Sequence, residues 1–172
     1  MNQTSTNARI VIDGREFLPK PRRQAILATV RRVIASVAEA SRRWVFVTFV
    51  QEEHMRALNQ KWRGVAKSTD VLSLVAHEEH DGGHREAHVD TPLGDLLICV
   101  DVARRQADRL GHTLCEEIAV LTAHGMCHLL GMDHERGARE ALLQLRHEQA
   151  LLHAAGVDAA LALINRNSDN SP

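Results

Sequence analysis

The alternation of apolar and polar residues along the chain predicts four β-strands. Arg9–Asp13 (RIVID) is a short β-branched run that Gly14 closes, and Trp44–Val50 (WVFVTFV) is almost entirely β-branched and aromatic. Such runs are typical of strands buried in a sheet. Residues 69–76 (TDVLSLVA) and 93–100 (LGDLLICV) have the same character and complete the set.

Apolar residues at helical spacing predict helices between and after these strands. Ile26, Val30, Val33 and Val37 form a stripe over residues 22–40, and Pro21 suits the first turn of that helix. A short helix is expected over residues 52–62. A further helix is expected from Asp101, as its N-cap, to residue 110, before Gly111.

Two more helices follow in the last third of the chain. Thr113 and Glu116 have the spacing of a capping box, which predicts a helix that begins there and runs to residue 130. Its apolar residues Ile118, Leu121 and Leu129 favour a central, buried position. The last helix is expected over residues 136–155.

The order of these elements predicts an α+β fold. We expect a single domain in which a mixed four-stranded sheet packs with about five helices, the central one carrying His124 and His128. This domain spans residues 8–156. Residues 1–7 are expected to be disordered, 77–92 to form an exposed His-rich loop, and 157–172 to form a flexible tail.

Composition narrows the classes of function. The chain is 44% hydrophobic but only 3% aromatic, with no Tyr, so the core is aliphatic and platforms for base stacking are scarce. The net charge is -1, yet the first 43 residues carry nine Lys/Arg against three Asp/Glu. This basic segment either attracts phosphates or is a solvated helix face.

Several cofactor and location classes lack support in the sequence. The three cysteines, Cys99, Cys115 and Cys127, form no CxxC pair, which favours reduced thiols in a cytoplasmic protein. No apolar signal region and no run of membrane-spanning length is present. Neither a GxxxxGK[ST] loop nor a GxGxxG fingerprint occurs, so we expect no nucleotide cofactor.

The strongest chemical pattern is the stretch HGMCHLLGMDH, residues 124–134. His124 and His128 share a face of a helix, so both can point at one ion. Gly131 can end that helix in a left-handed conformation and return His134 as a third ligand. Three imidazoles with an open fourth position are typical of a catalytic zinc site. Cys127, between two of these ligands, is expected to be a small buried residue.

The spacing of these histidines equals that of the metzincin proteases, with one difference in kind. Metzincins carry a general-base Glu directly after the first His, and this chain carries Gly125 there. The sequence therefore retains a metal scaffold without the peptidase base.

A second group of histidines lies in the predicted loop at His77, His80, His84 and His88. Such a cluster could bind a second metal ion. We favour a flexible insertion that binds metal only adventitiously, because a loop of this composition is not preorganised.

Three blocks of the sequence resemble the YbeY family of bacterial single-strand-specific endoribonucleases. HGMCHLLGMDH is similar to the HGxLHLxGYDH signature of that family. LNQKWRGVAKSTDVLS (58–73) and LGDLLIC (93–99) resemble its LNxxyRgxxxxTDVLSF and LGDi-I segments. The similarity covers roughly residues 10–155. Cys127, Met132 and Leu74-Val75 depart from the usual Leu, Tyr and Phe-Pro, and no departure removes a ligand.

The resemblance implies a set of expectations about function. It implies that His124, His128 and His134 bind one Zn²⁺ ion and that Arg63 is the functional basic residue of the active-site cleft. It implies single-stranded and ribosomal RNA as substrate, 3′-end maturation of 16S rRNA, 70S ribosome quality control, and association with components of the small ribosomal subunit.

The residues leave the general base and the nucleophile open. Asp70, Asp95 and Asp133 are candidate bases, but Asp70 and Asp95 could equally tie down backbone, and Asp133 could orient a ligand histidine. The nucleophile is either zinc-bound water or the 2′-hydroxyl of the RNA.

Two other functions compete with the nuclease. A zinc peptidase has the spacing in its favour and the missing Glu against it. A non-catalytic ribosome-assembly factor with structural zinc requires a fourth protein ligand, for which His147 and the cluster at 77–88 are the candidates.

Overall fold

The structure is a computed structural model that describes residues 8–76 and 91–163 of the 172-residue chain. The expected disordered segment 1–7, all four histidines of the expected loop, and residues 164–172 of the expected tail lie outside the described residues. Pro92, which we assigned to the loop, is the first residue of a strand.

The sheet has four strands in the order β1-β2-β4-β3. The strands are β1 (Arg9–Asp13), β2 (Trp44–Val50), β3 (Val71–Val75) and β4 (Pro92–Cys99). The first three in that order run parallel, and β3 pairs antiparallel with β4, with Leu72 opposite Leu97. The predicted mixed four-stranded sheet is thus confirmed, and β3 forms one of its edges.

Five α-helices lie within the described residues, as the sequence predicted. They are α1 (Arg23–Ala35), α2 (Glu52–Arg63), α3 (Val100–Leu110), α4 (Leu114–Leu129) and α5 (Ala138–Ala154), with 3₁₀ turns at Arg15–Phe17, Ala38–Ser41 and His134–Arg136. None of the helices in this described part combines the length and apolarity needed to span a bilayer.

The helices cover both faces of the sheet. On one face α1, α4 and α5 bury a large aliphatic cluster that includes Val30, Leu96 and Met126. On the other face α2 packs through Met55 against Leu72 and Val50. Because successive strand residues point to opposite faces, β3 and β4 contribute to both clusters. Helix α4 therefore lies in the interior of the larger layer, as its apolar sequence predicts.

Helix α1 is shorter than the predicted span of residues 22–40. It ends at Ala35, Val37 is extended with φ -91° and ψ 122°, and a 3₁₀ turn follows. The Ser36 hydroxyl donates a hydrogen bond to the Val33 carbonyl at 2.6 Å, a local contact with which serine competes against helix continuation. Val37 is buried. The prediction that it belongs to the apolar core is therefore correct, and the prediction that it is helical is wrong.

The predicted role of Asp101 as the N-cap of α3 is wrong. Helix α3 begins at Val100, and Cys99 is its N-cap without a side-chain hydrogen bond. The Asp101 carboxylate instead accepts a hydrogen bond from the backbone N–H of Glu52 at 3.0 Å, at the start of α2. Arg105 donates two hydrogen bonds of 2.8 Å to the Glu52 carboxylate. Together these contacts tie the first turn of α2 to α3.

The packed chain continues past residue 156, where we expected a flexible tail to begin. Leu161 is 7% exposed and Ala162 is 1% exposed, and both belong to the larger core cluster. Two apolar residues in a short segment give little periodicity, so the sequence did not reveal this contact.

Candidate metal centre and cleft

Helix α4 begins with the predicted capping box. The Thr113 hydroxyl accepts a hydrogen bond from the backbone N–H of Glu116 at 3.2 Å. The Glu116 carboxylate in turn accepts one from the backbone N–H of Thr113 at 2.8 Å. Hydrogen bonds from Thr113 lower the pKa of Glu116. The start of the helix that carries two of the three histidines is therefore fixed by local sequence.

Helix α4 ends in the left-handed turn that Gly131 predicted. Gly131 has φ +81°. Its N–H donates to the His128 carbonyl at 2.9 Å, and the N–H of Met132 donates to the Cys127 carbonyl at 3.0 Å. These two bonds are those of a Schellman motif. The chain reverses there and places His134 at the start of the next 3₁₀ turn.

The structure brings together the three histidines that the sequence singled out. The Nε2 atoms of His124 and His128 are 3.0 Å apart. The ring of His134 lies 5.4 Å from each of the other two rings, centroid to centroid. One nitrogen from each ring falls within 4.8 Å of the others, which is close enough for all three to bind one metal ion.

The protonation state of His128 suits a metal ligand. Burial, followed by the neighbouring His124 and His134, lowers the pKa of His128 to about 4. The ring is therefore neutral at pH 7 and keeps a lone pair for coordination. The donor set thus fits a metal ion on chemical grounds as well as on distance.

A residue that the sequence analysis missed orients His124. The carboxylate of Glu148, on α5, lies 2.9 Å from Nδ1 of His124. The Gln144 side-chain amide donates to the same carboxylate oxygen at 2.9 Å. With Nδ1–H donating to Glu148, the lone pair of His124 is on Nε2, which faces the other histidines.

The sequence held one signal for this contact. Gln144 and Glu148 are spaced to share a helical face with Leu151 and Leu152, which are core residues. Polar residues in an apolar stripe indicate buried polar partners. The partner itself, 24 positions earlier in the chain, could not be read from that pattern.

The three histidines open into a cleft of about 480 Å³ between β3 and the turn after α4. Arg63, the last residue of α2, lines the same cleft. The resemblance to the YbeY family implied that Arg63 is the functional basic residue of the cleft, and that role stays a prediction. Within the described residues its side chain is exposed and forms no hydrogen bond or ion pair, so its cation is available to a ligand.

Arg136 supplies a second cation that the sequence analysis did not single out. It lines the cleft two residues after His134, and its side chain is 69% exposed. Its Nε donates to the Asp133 carboxylate at 3.2 Å. The cleft therefore has three histidines and two arginines on its walls, together with the carboxylates of Asp70, Asp133 and Glu135. The positive charge that could hold an anion is local to the two arginines.

The three candidate carboxylates have different positions. Asp70 lines the cleft but accepts hydrogen bonds from the Val71 N–H at 2.7 Å and from the Gln106 amide at 2.9 Å. Asp133 caps the following turn through the Glu135 N–H, and that bond lowers its pKa. Asp95 does not line the cleft, and burial raises its pKa. Asp70 thus ties down backbone, as one of our two interpretations predicted.

Comparison with known proteins decides the family. The family model described as Endoribonuclease YbeY matches residues 16–155 of this chain. The chain belongs to the YbeY endoribonuclease family. The predicted resemblance is confirmed.

Two relatives named Endoribonuclease YbeY illustrate the extent of the match. One from Moorella thermoacetica is 36% identical over 140 residues, which cover 78% of this chain and 89% of the relative. One from Bacillus licheniformis is 35% identical over 143 residues, which cover 82% and 90%. A solution structure from Thermotoga maritima shares the fold, with a TM-score of 0.55, 22% identity, and coverage of 94% and 96%.

The departures from the usual YbeY residues leave the histidine cluster intact. Cys127 is fully buried in the core, as expected for a small apolar residue. Met132 packs partly against that core and lines the cleft. Met132, where the resemblance led us to expect Tyr, thus places a flexible thioether at the edge of the site.

Gly125 explains why this YbeY family member does not carry a peptidase base. A Cβ atom on Gly125 would lie 2.7 Å from Leu96 Cδ2 and 3.0 Å from Ser73 Oγ. Helix α4 therefore lies directly against side chains of the sheet at the position where metzincins have their glutamate. A Glu side chain would have to displace both neighbours.

Proposed function

We propose that this protein is a zinc-dependent endoribonuclease that cuts single-stranded RNA in the cleft beside His124, His128 and His134. The observation that carries this proposal is that the histidine cluster and Arg63 line one cleft. Membership of the YbeY endoribonuclease family supports RNA as the substrate class. The cations Arg63 and Arg136 suit a phosphodiester backbone.

Zinc is the metal that we assign to this site. Three neutral imidazoles with an open fourth position are the donor set of catalytic zinc. A bound zinc ion would polarise a phosphoryl oxygen and increase the acidity of water. Glu148 holds the His124 ring in the tautomer that such an ion requires.

Arg63 is the residue that we assign to the scissile phosphate. Its guanidinium can donate two parallel hydrogen bonds to phosphate oxygens and so offset the charge that develops in the transition state. Because it has no partner within the described residues, binding a phosphate does not require an existing ion pair to break. We therefore class Arg63 as the catalytic arginine.

Water and the RNA 2′-hydroxyl are both compatible nucleophiles in this cleft, and they leave different RNA ends. Attack by the 2′-hydroxyl gives a 2′,3′-cyclic phosphate. Products that end only in 3′-hydroxyl groups would exclude that route. A substrate with a 2′-deoxy sugar at the cleavage site makes the same distinction, because it is cut only when water attacks.

The biological setting that we propose is late ribosomal RNA processing in the cytoplasm. It comprises maturation of the 3′ end of small-subunit RNA and quality control of assembled ribosomes, with components of the small subunit as partners. Depletion of the protein from its host should then lead to accumulation of small-subunit RNA with an extended 3′ end. Normal 3′ ends in depleted cells would count against this role.

The two competing functions have less structural support. A peptidase would need a base where Gly125 packs against the sheet. A structural zinc site would need a fourth protein ligand, and within residues 8–76 and 91–163 the cluster contains three histidines only. His147, a candidate for that ligand, is exposed on α5 and lies against the Leu143 carbonyl.

The deciding experiment is cleavage of a labelled single-stranded RNA by wild-type protein and by His128→Ala, prepared identically. His153→Ala, on an exposed position of α5, is the matched control. We expect wild type and His153→Ala to cut equally, and His128→Ala to lose at least about 100-fold in rate, as expected when a catalytic electrostatic group is removed. Equal cleavage by all three would refute the proposal.

A further inference from the structure

Trp62 has an unusual position on α2. It lies seven residues after Met55 and three after Asn59, both buried, so helical spacing places it on the inward face of the helix. Nevertheless, Trp62 is 55% exposed, more than any other large apolar side chain in the described part of the chain. The inward face thus continues beyond the edge of the core and ends in an open indole ring.

The surroundings of this ring are basic. Residues 61–67 (KWRGVAK) contain three cations and no carboxylate. The Lys61 ammonium lies 5.1 Å from the centroid of the Trp62 ring. Arg63, the next residue, lines the cleft of the histidine cluster. An exposed aromatic ring among cations, directly before the arginine that lines a cleft suited to phosphate, matches the chemistry of a nucleotide more closely than that of an apolar protein surface.

The backbone on both sides of the ring is held in place. Gly64 ends α2 in a left-handed conformation with φ +72°, and its N–H donates to the Gln60 carbonyl at 3.1 Å. The buried Asn59 amide donates to the Lys67 carbonyl at 2.7 Å and fixes the following loop. Trp62 and Arg63 therefore keep a set spacing, which favours binding of two neighbouring groups of one ligand.

We propose that Trp62 is a stacking platform for an unpaired RNA base next to the phosphate that Arg63 binds. This inference rests on the proposed function and names the feature that makes the site prefer single strands. Aromatic residues are scarce in this chain, with two Trp, three Phe and no Tyr, so one exposed indole directly before the cleft residue Arg63 is a specific feature. Stacking on an aromatic ring tolerates every base.

The preference for single strands follows from the geometry of stacking. In a duplex each base is covered on both faces by its neighbours and paired at its edge. A base can lie on Trp62 only after it has left that stack, so a duplex gains nothing from the indole. Trp62 is thus a positioning residue that acts on substrate binding and not on the reacting atoms.

The test compares two substitutions at Trp62 and one elsewhere. Trp62→Leu keeps an apolar side chain and removes the ring, whereas Trp62→Phe keeps a smaller ring. Phe17→Leu removes another exposed aromatic ring, in the 3₁₀ turn after β1, and is the matched control. Thermal unfolding of each variant first shows that it is folded at the assay temperature.

We expect Trp62→Leu to raise KM for single-stranded RNA by about 5- to 150-fold, the range for loss of one stacked base. We expect kcat to stay within about twofold, because stacking contributes equally to ground and transition states. Trp62→Phe should recover most of the affinity, and Phe17→Leu should match wild type. Binding of duplex RNA should be the same for Trp62→Leu and wild type.

A scan with abasic nucleotides locates the stacked base. At one position near the cut, removal of the base should raise the KM of the wild-type protein by the same factor as the Trp62→Leu substitution does. At that position the missing base should not raise the KM of Trp62→Leu any further. Equal penalties for the two proteins at every position, or an unchanged KM for Trp62→Leu, would overturn the inference.

Failure of the inference is distinct from failure of the proposed function. If wild-type protein does not cut RNA, the proposed function fails, and anisotropy of a labelled single-stranded oligonucleotide decides the stacking role separately. Weaker binding by Trp62→Leu than by wild type would still support stacking. Equal binding, or no binding by wild type, would overturn it.

Discussion

The carboxylate of Glu148 on α5 accepts a hydrogen bond from Nδ1 of His124 on α4 at 2.9 Å. Glu148 is only 2% exposed, and a carboxylate at that depth is stable only when its hydrogen-bonding capacity is used. The orientation of His124, a candidate metal ligand, therefore depends on a residue outside the HGMCHLLGMDH stretch. The candidate metal centre extends into the contact between two helices.

We expect Glu148→Gln to weaken zinc binding by about 10- to 100-fold, the usual effect of changing the partner of a metal-binding histidine. Glutamine keeps the volume of the side chain but removes the negative charge that supports the His124 ring. Competition with a chromogenic chelator measures the affinity. Glu140→Gln, on an exposed position of the same helix, should bind zinc as wild type does. An unchanged affinity for Glu148→Gln would contradict the assigned role.

Arg63 should be sensitive to both charge and shape. We expect Arg63→Ala to lower kcat for RNA cleavage by about 100-fold or more, since it removes a donor to the developing charge. Arg63→Lys should recover only part of the rate, because lysine keeps the charge but not the bidentate geometry. Arg104→Ala, an exposed arginine on α3, is the control for loss of one positive charge. If Arg63→Ala, Arg63→Lys and Arg104→Ala all cleave RNA at the wild-type rate, Arg63 is excluded from catalysis.

The capping box of α4 should make stability depend on pH. Hydrogen bonds from Thr113 lower the pKa of Glu116 below its ordinary value of 4.5. The stabilisation that the ionised Glu116 carboxylate gives to the folded protein is therefore complete above about pH 4.5. It is lost as the pH falls through the lower pKa that Glu116 has in the folded state. Glu116→Gln should lower the free energy of unfolding at pH 7 by about 1 kcal/mol or less, as for other helix caps.

Urea unfolding at pH 7 and near pH 3 measures that difference. We expect the difference in the free energy of unfolding between wild type and Glu116→Gln to be smaller near pH 3 than at pH 7. Glu135→Gln, outside the capping box, is the comparison. A gap that stays constant with pH would mean that the Glu116 charge does not stabilise the start of α4.

Gly131 should matter through its backbone conformation. Its φ is +81°, and a Cβ there would meet no atom within 4 Å, so Gly131→Ala introduces strain without a clash. We expect a loss of about 1–2 kcal/mol in the free energy of unfolding, the cost of a left-handed alanine. Gly111→Ala, with φ +78° and equally open space, should cost the same.

Zinc affinity separates the two glycine variants. Relaxation of the strained turn at Gly131 would shift His134 relative to His128, whereas Gly111 ends α3 outside the cleft. We therefore expect weaker zinc binding for Gly131→Ala alone. Equal affinity in both variants would show that the turn at Gly131 does not set the position of His134.

Local sequence was sufficient for those features that depend on neighbours along the chain. β2 could be predicted because WVFVTFV has strong strand preferences, and its bounds are those observed. The histidine cluster could be predicted because i, i+4 spacing and a glycine turn are properties of one segment. The same holds for the capping box of Thr113 and Glu116.

Features that depend on distant partners were missed or misassigned. Asp101 has the residue type and position of an N-cap, but its hydrogen-bond partner Glu52 lies 49 positions earlier in the chain. Glu148 resembles an ordinary surface glutamate until α5 is placed against α4. In both cases the side chain is suitable for more than one role, and only the packing of helices decides which role it takes.

The attachment of α2 has a mechanical consequence for Arg63. Asp101 and Arg105 hold the first turn of this helix, whereas Arg63 stands at the other end, and a helix of 12 residues is about 18 Å long. That end is held as well, because the buried Asn59 amide donates to the Lys67 carbonyl at 2.7 Å. The backbone of Arg63 is thus braced at both ends of α2, so adjustment of Arg63 to a substrate phosphate falls to its exposed side chain.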